Sequence, residues 1–387
     1  MKPRRASAKT IVVVGAGGNI GSHLVSHLAR MPDVSHITLI DKDVYEPKNL
    51  TSQDIDPRDI GKPKTIVQAR RLTRINPQLW VEPIAGAVEC VPLGKLRGDV
   101  ILSCLDSRSA RQHVNQFAWR LGVPLIDAGV DAGGLLARIN VYVPEPGKPC
   151  LECAWDDRDY EALEQTYPCD NLGQNLGQGR AANTTATNAP SSLGALAASL
   201  QAIECQKLLL GQTGCVAIGK QVLIDATHHR HYVTSYRRNP DCRFGSHDVW
   251  DIRPLKSSLT LREALNLAPS DGTNGSASLQ LEGKPFVTKL TCSGCGRIKC
   301  ILHLECSLRD IDKTCAHCGQ RMMAAGFDLL ERLNAGCVPR PALTSSLRKL
   351  GLRPNDVFSV GSEHHLRYEI AHETTAKAIR GTPAKSV

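Results

Sequence analysis

The stretch Ile11-Val12-Val13-Val14-Gly15-Ala16-Gly17-Gly18-Asn19-Ile20-Gly21 decides the fold. Four apolar, β-branched residues in a row read as a strand buried on both faces, as in a parallel sheet. The glycines that follow let a backbone approach phosphates closely. The helix they open supplies free N–H groups and a partial positive charge. A dinucleotide fingerprint wants glycine at the sixth loop position, where Ile20 stands, so the spacing leans away from NAD without excluding it.

Outward from this loop the pattern repeats. Residues 37–40 form a second apolar run that ends at Asp41, placed to hold ribose hydroxyls. Pro63 suits the first turn of a helix that ends before Asn76-Pro77. Residues 100–105 and 124–127 read as further buried strands, 134–143 as a longer one and 221–236 as two more. A strong helix fills 192–210 and is closed by Gly211. Strands alternating with helices predict a doubly wound, Rossmann-like α/β sheet. Residues 154–190 are polar and rich in Asp, Asn, Gly and Gln, a crossover segment long enough to suggest function. The domain boundary is placed near residue 250, giving 1–250 and a small domain 251–387. Residues 268–278 read as a flexible loop.

Composition narrows the class. Hydrophobic residues are 42% of the 387, enough for a core without disulfides, and aromatics are 4%, which argues against a stacking surface for single-stranded nucleic acid. The basic start, Met1-Lys2-Pro3-Arg4-Arg5, invites a signal-peptide reading, but 11–14 is too short for its apolar region. No run approaches a membrane span, so the expectation is a cytoplasmic protein. Fifteen cysteines, several in Cys-x-x-Cys pairs, favour zinc over bridges in that compartment. The net charge of +9 is spread along the chain, which suits an acidic protein partner or a nucleotide better than a nucleic acid.

The residues around the loop carry a resemblance. Asp41-x-Asp43 is followed by Asn49-Leu50-x-x-Gln53, Gly61-Lys62-Pro63-Lys64 and Arg74-Ile75-Asn76-Pro77. Then come Asp106, Cys150-Leu151-Glu152-Cys153, and a helix with Gly194, Gln201 and Glu204. Over about residues 9–250 the chain resembles the ThiF/MoeB family, which includes the activating enzymes of ubiquitin-like modifiers. The resemblance implies an ATP-dependent adenylyltransferase acting on a ubiquitin-like or sulfur-carrier protein, and a homodimer. It makes Gly15, Gly17, Gly18 and Gly21 the phosphate loop and gives Asp41 the ribose. Asn49, Gln53 and Lys64 contact the triphosphate, and Asp106 positions Mg²⁺ and the reacting α-phosphate. A carboxylate attacking that phosphate is repelled by it, and Lys64 with Mg²⁺ can offset the charge. A lysine at a helix start opposes the macrodipole, which points to function rather than an ordinary solvated side chain. Two features depart from the family. Ser52 stands where an arginine usually reaches the phosphates, with Arg58, Lys62 or Arg111 as substitutes. The motif around an N-terminal arginine is absent, leaving Arg4 and Arg5.

The same resemblance places a first pair of zinc ligands at Cys150 and Cys153. Where it puts a second pair, after the 221–236 strands, Cys242 is followed not by a second cysteine but by His247. Cys-x₄-His is an acceptable tetrahedral half-site, the alternative being an ordinary surface histidine with the fourth ligand elsewhere. The resemblance also puts a thioester-forming cysteine in the crossover segment, where Cys169 lies in Tyr167-Pro168-Cys169-Asp170. A thiolate there would take the modifier from the adenylate and pass it to a conjugating enzyme. Adenylation without a thioester is the alternative, and a non-enzymatic zinc-ribbon adaptor the third reading. Farther on, Cys292-x-x-Cys295 and Cys315-x-x-Cys318 are nineteen residues apart, each followed by glycine. That is the spacing of a structural zinc ribbon within 290–320. Cys300, His303 and Cys306 between the pairs read as core or loop residues. Cys90, Cys104, Cys205, Cys215 and Cys337 read as packing residues.

Overall fold

A computed structural model of the chain describes residues 8–164, 189–245, 247–256, 259–269, 277–362 and 365–371. It divides into two compact units. The first comprises Met1–Val88 and Leu96–Val249, the second Glu89–Lys95 and Trp250–Val387.

In the first unit the elements run β1 (Lys9–Val14), α1 (Asn19–Leu28), β2 (Val34–Asp41), α2 (Lys64–Ile75), β3 (Trp80–Ala85), β4 (Val100–Ser103) and α3 (Arg108–Leu121). They continue with β5 (Leu125–Asp131), β6 (Leu136–Tyr142), α4 (Asp157–Glu164), α5 (Ser191–Leu209), β7 (Lys220–Asp225) and β8 (Arg230–Ser235). The eight strands form one sheet in the order β3-β2-β1-β4-β5-β6-β7-β8. β3 through β5 along that order are parallel; β6, β7 and β8 are antiparallel. The chain steps outward from β1 to β3, then returns to the other side of β1 for β4. Ligands of open α/β sheets bind in the crevice at such a reversal, beyond the carboxyl ends of the strands. Here that crevice lies past Val14 and Ser103, which are paired in register.

β1 is buried through Ile11–Val14 because both its faces are covered. On one side α1 and α5 pack over Ile11, Val13, Ile37, Leu39 and Leu102. α5 comes close enough to α1 that a Cβ on Gly194 would sit 1.9 Å from Asn19 Oδ1. Gln201, fully buried in α5, donates to the carbonyls of Ser103 (3.1 Å) and Ile126 (2.8 Å), so it ties the ends of β4 and β5 together. Glu204 accepts from the amide of Ala217 at 2.8 Å. The sequence reading names no element at 80–85 or 108–121. β3 is an edge strand carrying Pro83, and α3 is polar on the face it turns to solvent and to Glu152.

The second unit is mostly β. Its elements are β9 (Ile252–Leu255), α6 (Leu261–Leu265), β10 (Ser278–Gln280), β11 (Phe286–Cys292), β12 (Ile298–Leu304), β13 (Met322–Met323), β14 (Leu329–Leu330), β15 (Leu333–Asn334), α7 (Arg340–Leu343), β16 (Val357–Gly361) and β17 (His365–Ile370). One sheet runs β15-β10-β16-β17-β9. The other is built on the β11–β12 hairpin, with β13 and β14 on β11. Most of the 268–278 loop lies outside the described residues. Among the described residues no helix is long and apolar enough to cross a membrane.

Candidate functional site

The crevice is built from backbone first. Gly15 takes φ +78°, and a Cβ there would lie 2.6 Å from the carbonyl oxygen of Cys104. Only glycine lets the loop press against the end of β4 in that conformation. Gly17 is held as tightly: its Cβ would stand 2.4 Å from Cβ of Lys64 and 2.8 Å from the hydroxyl of Tyr45. Gly18 precedes α1, and no side chain caps the helix or places an acid in its first turn. The amides around Asn19, Ile20 and Gly21 are therefore open to an anion from outside.

Asp41 closes the loop from β2. Its carboxylate accepts from the amides of Gly17 (2.9 Å) and Asp43 (3.0 Å). Burial raises its pKa, and the Lys64 charge opposes that rise. Lys64 begins α2 and is only 5% exposed. Its Nζ lies 3.3 Å from Asp43, itself half-exposed, and 5.7 Å from the centre of the Tyr45 ring. Burial also keeps Tyr45 a neutral phenol, accepting from Gln68 Nε2 at 2.7 Å. A buried ammonium at a helix N-terminus, where the dipole disfavours it by about 0.3–1 kcal/mol, is a cation prepared for an anionic ligand.

The structure gathers most of the predicted residues here. Asn49 is buried and its Oδ1 accepts from the amide of Glu46 at 2.8 Å. Gln53 leaves a buried Oε1 without a partner. Asn19 donates to the carbonyl of Ser52 at 2.9 Å, and the amide of Asp54 donates to Ser22 Oγ at 3.0 Å, so this stretch lies along the start of α1. Asp106 is exposed, two residues beyond the Cys104 carbonyl that Gly15 touches.

The substitutes for the arginine absent at Ser52 fare differently. Arg58 is exposed and paired with Asp56. Arg111 turns inward, to Asp127 and the carbonyl of Leu105. Arg71 was not foreseen. It donates to the carbonyl of Asp54 at 2.8 Å and pairs with the Asp54 carboxylate, close in the chain to Ser52 and Gln53. Its signal was available: Arg71 stands two helical turns after Lys64, on the same face of α2. Arg4, Arg5 and Cys169 lie outside the described residues.

The cysteine clusters lie elsewhere. Cys150, Cys153, Cys242 and His247 are buried with their ligand atoms within 4.8 Å of one another. The 150–242 and 150–153 sulfur pairs are 3.8 and 3.9 Å apart, and Cys153 Sγ is 3.5 Å from His247 Nε2. Tetrahedral zinc with bonds of about 2.3 Å to sulfur and about 2.0 Å to nitrogen needs separations of about 3.8 and 3.5 Å. His247 Nδ1 lies 2.8 Å from the carbonyl of Gly245, which as its acceptor leaves Nε2 free to ligate. α3 holds both halves. Its Gln112, Asn115 and Gln116 donate to the buried Glu152 carboxylate at 2.8–3.2 Å, and its Trp119 indole donates to the carbonyl of His247. Glu152, between two ligands in sequence, is the member of this site that spacing alone does not reveal.

Cys292, Cys295, Cys315 and Cys318 form the second cluster. The 292–318 and 295–315 sulfur pairs are 3.4 and 3.7 Å apart. Each Cys-x-x-Cys turn closes with a glycine amide bonded back to the first cysteine's carbonyl, Gly296 to Cys292 (3.1 Å) and Gly319 to Cys315 (2.9 Å). The amides of Cys295 and Gly294 lower the Cys292 thiol to about 6, towards the thiolate a metal needs. Both clusters fit zinc in donor type and spacing, and neither leaves an obvious open position. Of the cysteines read as packing residues, Cys104 and Cys205 are buried. Cys215 and Cys337 are exposed instead, because a short helical turn and a tight loop hold them at the surface.

Comparison with known proteins places this geometry. The ThiF family model matches residues 3–244. The chain is 28% identical over 235 residues to the molybdopterin-synthase adenylyltransferase of Escherichia coli K12, covering 60% of this chain and 85% of that protein. It is 27% identical over 241 residues to the SAMP-activating enzyme E1 of Haloferax volcanii, covering 62% and 80%. Among solved structures, E. coli MccB with succinimide superposes with a TM-score of 0.50 at 24% identity, over 62% of this chain and 68% of that one, and shares the fold.

Proposed function

The chain belongs to the ThiF family, and on that premise we propose that it is an ATP-dependent adenylyltransferase for the C-terminal carboxylate of a ubiquitin-like or sulfur-carrier protein. The carboxylate oxygen attacks the α-phosphorus of ATP, a new P–O bond forms, and pyrophosphate leaves with the electrons of the old one. The loop Gly15–Gly21 holds phosphate oxygens on its amides, and Asp41 accepts from the ribose. Asn49, Gln53 and Lys64 take the triphosphate, with Lys64 offsetting charge as attacker and phosphate approach. Asp106 would hold Mg²⁺, which when bound neutralises phosphate charge and orients the leaving group. The observation that carries the reading is Lys64, a buried ammonium locked against Gly17 beside an uncapped helix start.

In the fuller proposal the adenylate passes to the thiol of Cys169, AMP leaves, and a conjugating enzyme's cysteine receives the acyl group. Cys169 is supported by its place in sequence after Cys150-x-x-Cys153. A homodimer belongs to the same proposal. ATP–pyrophosphate exchange with candidate carrier proteins tests the first step, and Lys64→Met should lower it at least 100-fold while zinc content stays unchanged. Absence of exchange with every Gly-tailed carrier would overturn it. A thiol-sensitive adduct lost in Cys169→Ala supports the second step; exchange without an adduct assigns adenylation alone.

A further inference from the structure

Two thiols that neither metal cluster uses lie against each other in the second unit. Cys90 ends a short helical turn, Val88–Cys90, and its Sγ is 2.8 Å from Sγ of Cys306, a residue 216 positions away. Both are half-buried. A disulfide is about 2.0 Å long, so less than about 1 Å of travel separates this pair from a bond. The charges around them are uneven. Lys284, 3% exposed, donates to the carbonyl of Val91 at 2.6 Å and pairs with Asp356 at 3.5 Å. Arg353 donates to the carbonyl of Cys90 itself. Glu89 and Glu305 are the acids facing the pair. The hydrogen bond shared with Cys306, then the Lys284 and Arg353 charges, outweigh burial and lower the Cys90 thiol to about 7. The other cysteines described outside the clusters lack such a partner: Cys104 and Cys205 are buried, and Cys215, Cys300 and Cys337 are exposed.

We propose that Cys90 and Cys306 are a redox-active dithiol, a modification site that closes to an intramolecular disulfide by exchange with a low-molecular-weight disulfide such as oxidised glutathione. The Cys90 thiolate attacks one sulfur of glutathione disulfide, and one glutathione leaves as thiolate. Cys306 then gives up its proton and attacks the Cys90 sulfur, displacing the second glutathione. Two protein thiols are oxidised, one glutathione disulfide is reduced to two thiols, and the protons end on the glutathiones. Cys90 is the attacking thiol because its thiolate is populated at neutral pH and Cys306 is in line to resolve the mixed disulfide. The site does not depend on which carrier protein the first unit adenylates.

The test uses the full-length, zinc-loaded chain. It is treated with oxidised glutathione at pH 7, quenched with acid, alkylated, and mapped as peptides without reduction. The expected product joins the Cys90 and Cys306 peptides and is two hydrogens lighter than the pair, while Cys215 and Cys337 are alkylated and zinc content is unchanged. Cys306→Ser should trap glutathione on Cys90. With limiting iodoacetamide at pH 7, Cys90 should label several-fold faster than the exposed Cys215 and Cys337. No joined peptide, together with Cys90 labelling no faster than those two, would overturn the assignment. So would a disulfide found only among the metal-cluster cysteines.

Discussion

The two cysteine clusters have nearly the same spacing of sulfur atoms and are built in opposite ways. The second is local: two matching turns, each closed by its own glycine amide, face each other across a hairpin, and two of the four thiols are exposed. The first joins residues far apart, Cys153 and His247 standing 94 positions from each other, and all four ligands are buried against α3. A local cluster can form once its own hairpin has formed. A distant one closes a long loop and depends on a scaffold, here Trp119, Asn115 and the acceptor Glu152. One proposed zinc therefore stabilises a small ribbon, and the other fastens the end of the first unit to its sheet.

The sharpest way to break this contrast is to remove one ligand from each. Cys150 is fully buried. Cys150→Ser should lose one equivalent of zinc and destabilise the first unit by about 3–5 kcal/mol, the scale for losing a structural metal or breaking a buried polar cluster. For a unit of this size that is a fall in Tm of about 10 °C, read by calorimetry. Cys315→Ser should also lose one equivalent. Its core is small (Val287, Leu290, Leu308 and Met322 with the cysteines), so the damage should stay in the ribbon. ATP–pyrophosphate exchange should remain within twofold of the parent. If Cys315→Ser abolishes exchange, or lowers the stability of the first unit as Cys150→Ser should, the distinction between fastening and local cluster fails.

A smaller effect sharpens the role of the aromatic shelf. His247 holds its ring 4.8 Å from Trp119 and 5.0 Å from Phe244, both edge-on. His247→Cys offers zinc a fourth thiolate but no ring. Zinc content should be retained and stability should fall by about 1–2 kcal/mol, the scale of two aromatic edge contacts. Loss of the metal instead would show that the Gly245 carbonyl and the imidazole set the site more than ligand count does.

How far the sequence reveals these sites follows from how local they are. The glycine loop, the strand ending at Asp41 and both Cys-x-x-Cys pairs are short and periodic, so each is legible in a few residues. Lys64 was legible as a charge at the wrong end of a helix, though its burial depends on Gly17 and Tyr45, which no spacing announces. Cys242 and His247 needed the resemblance, because nothing in Cys-x₄-His alone says which distant pair completes it. Glu152 and Arg71 look like ordinary charged side chains until α3 and the Asn49–Asp54 stretch fold beside them. The Cys90–Cys306 pair was invisible: each cysteine follows a glutamate and belongs to no Cys-x-x-Cys pair, and only the packing of Glu89–Lys95 within the second unit brings them together. The exposed Cys215 and Cys337 show the converse, apolar-looking surroundings in sequence that the fold leaves at the surface.

The smallest expected effect tests the local cluster at its turns. Gly296 takes φ +68° and Gly319 φ +71°, and a Cβ at either would meet nothing within 4 Å. Substitution by alanine therefore adds no clash, and its cost is the left-handed backbone alone, about 1 kcal/mol. Because the turn must form for its two thiols to ligate, that cost passes into metal affinity as about a fivefold weaker zinc, measurable by competition with a chromogenic chelator. The first cluster has its own such glycine, Gly245 at φ +84° with its amide on the Cys242 carbonyl at 2.9 Å. Gly296→Ala does not touch it, so that substitution should leave the first cluster's zinc in place. A fivefold change confined to one of two zinc equivalents is the expected signature of a ribbon that folds around its own metal. Equal weakening of both would mean that the two clusters are coupled and that the contrast between local and distant assembly is wrong.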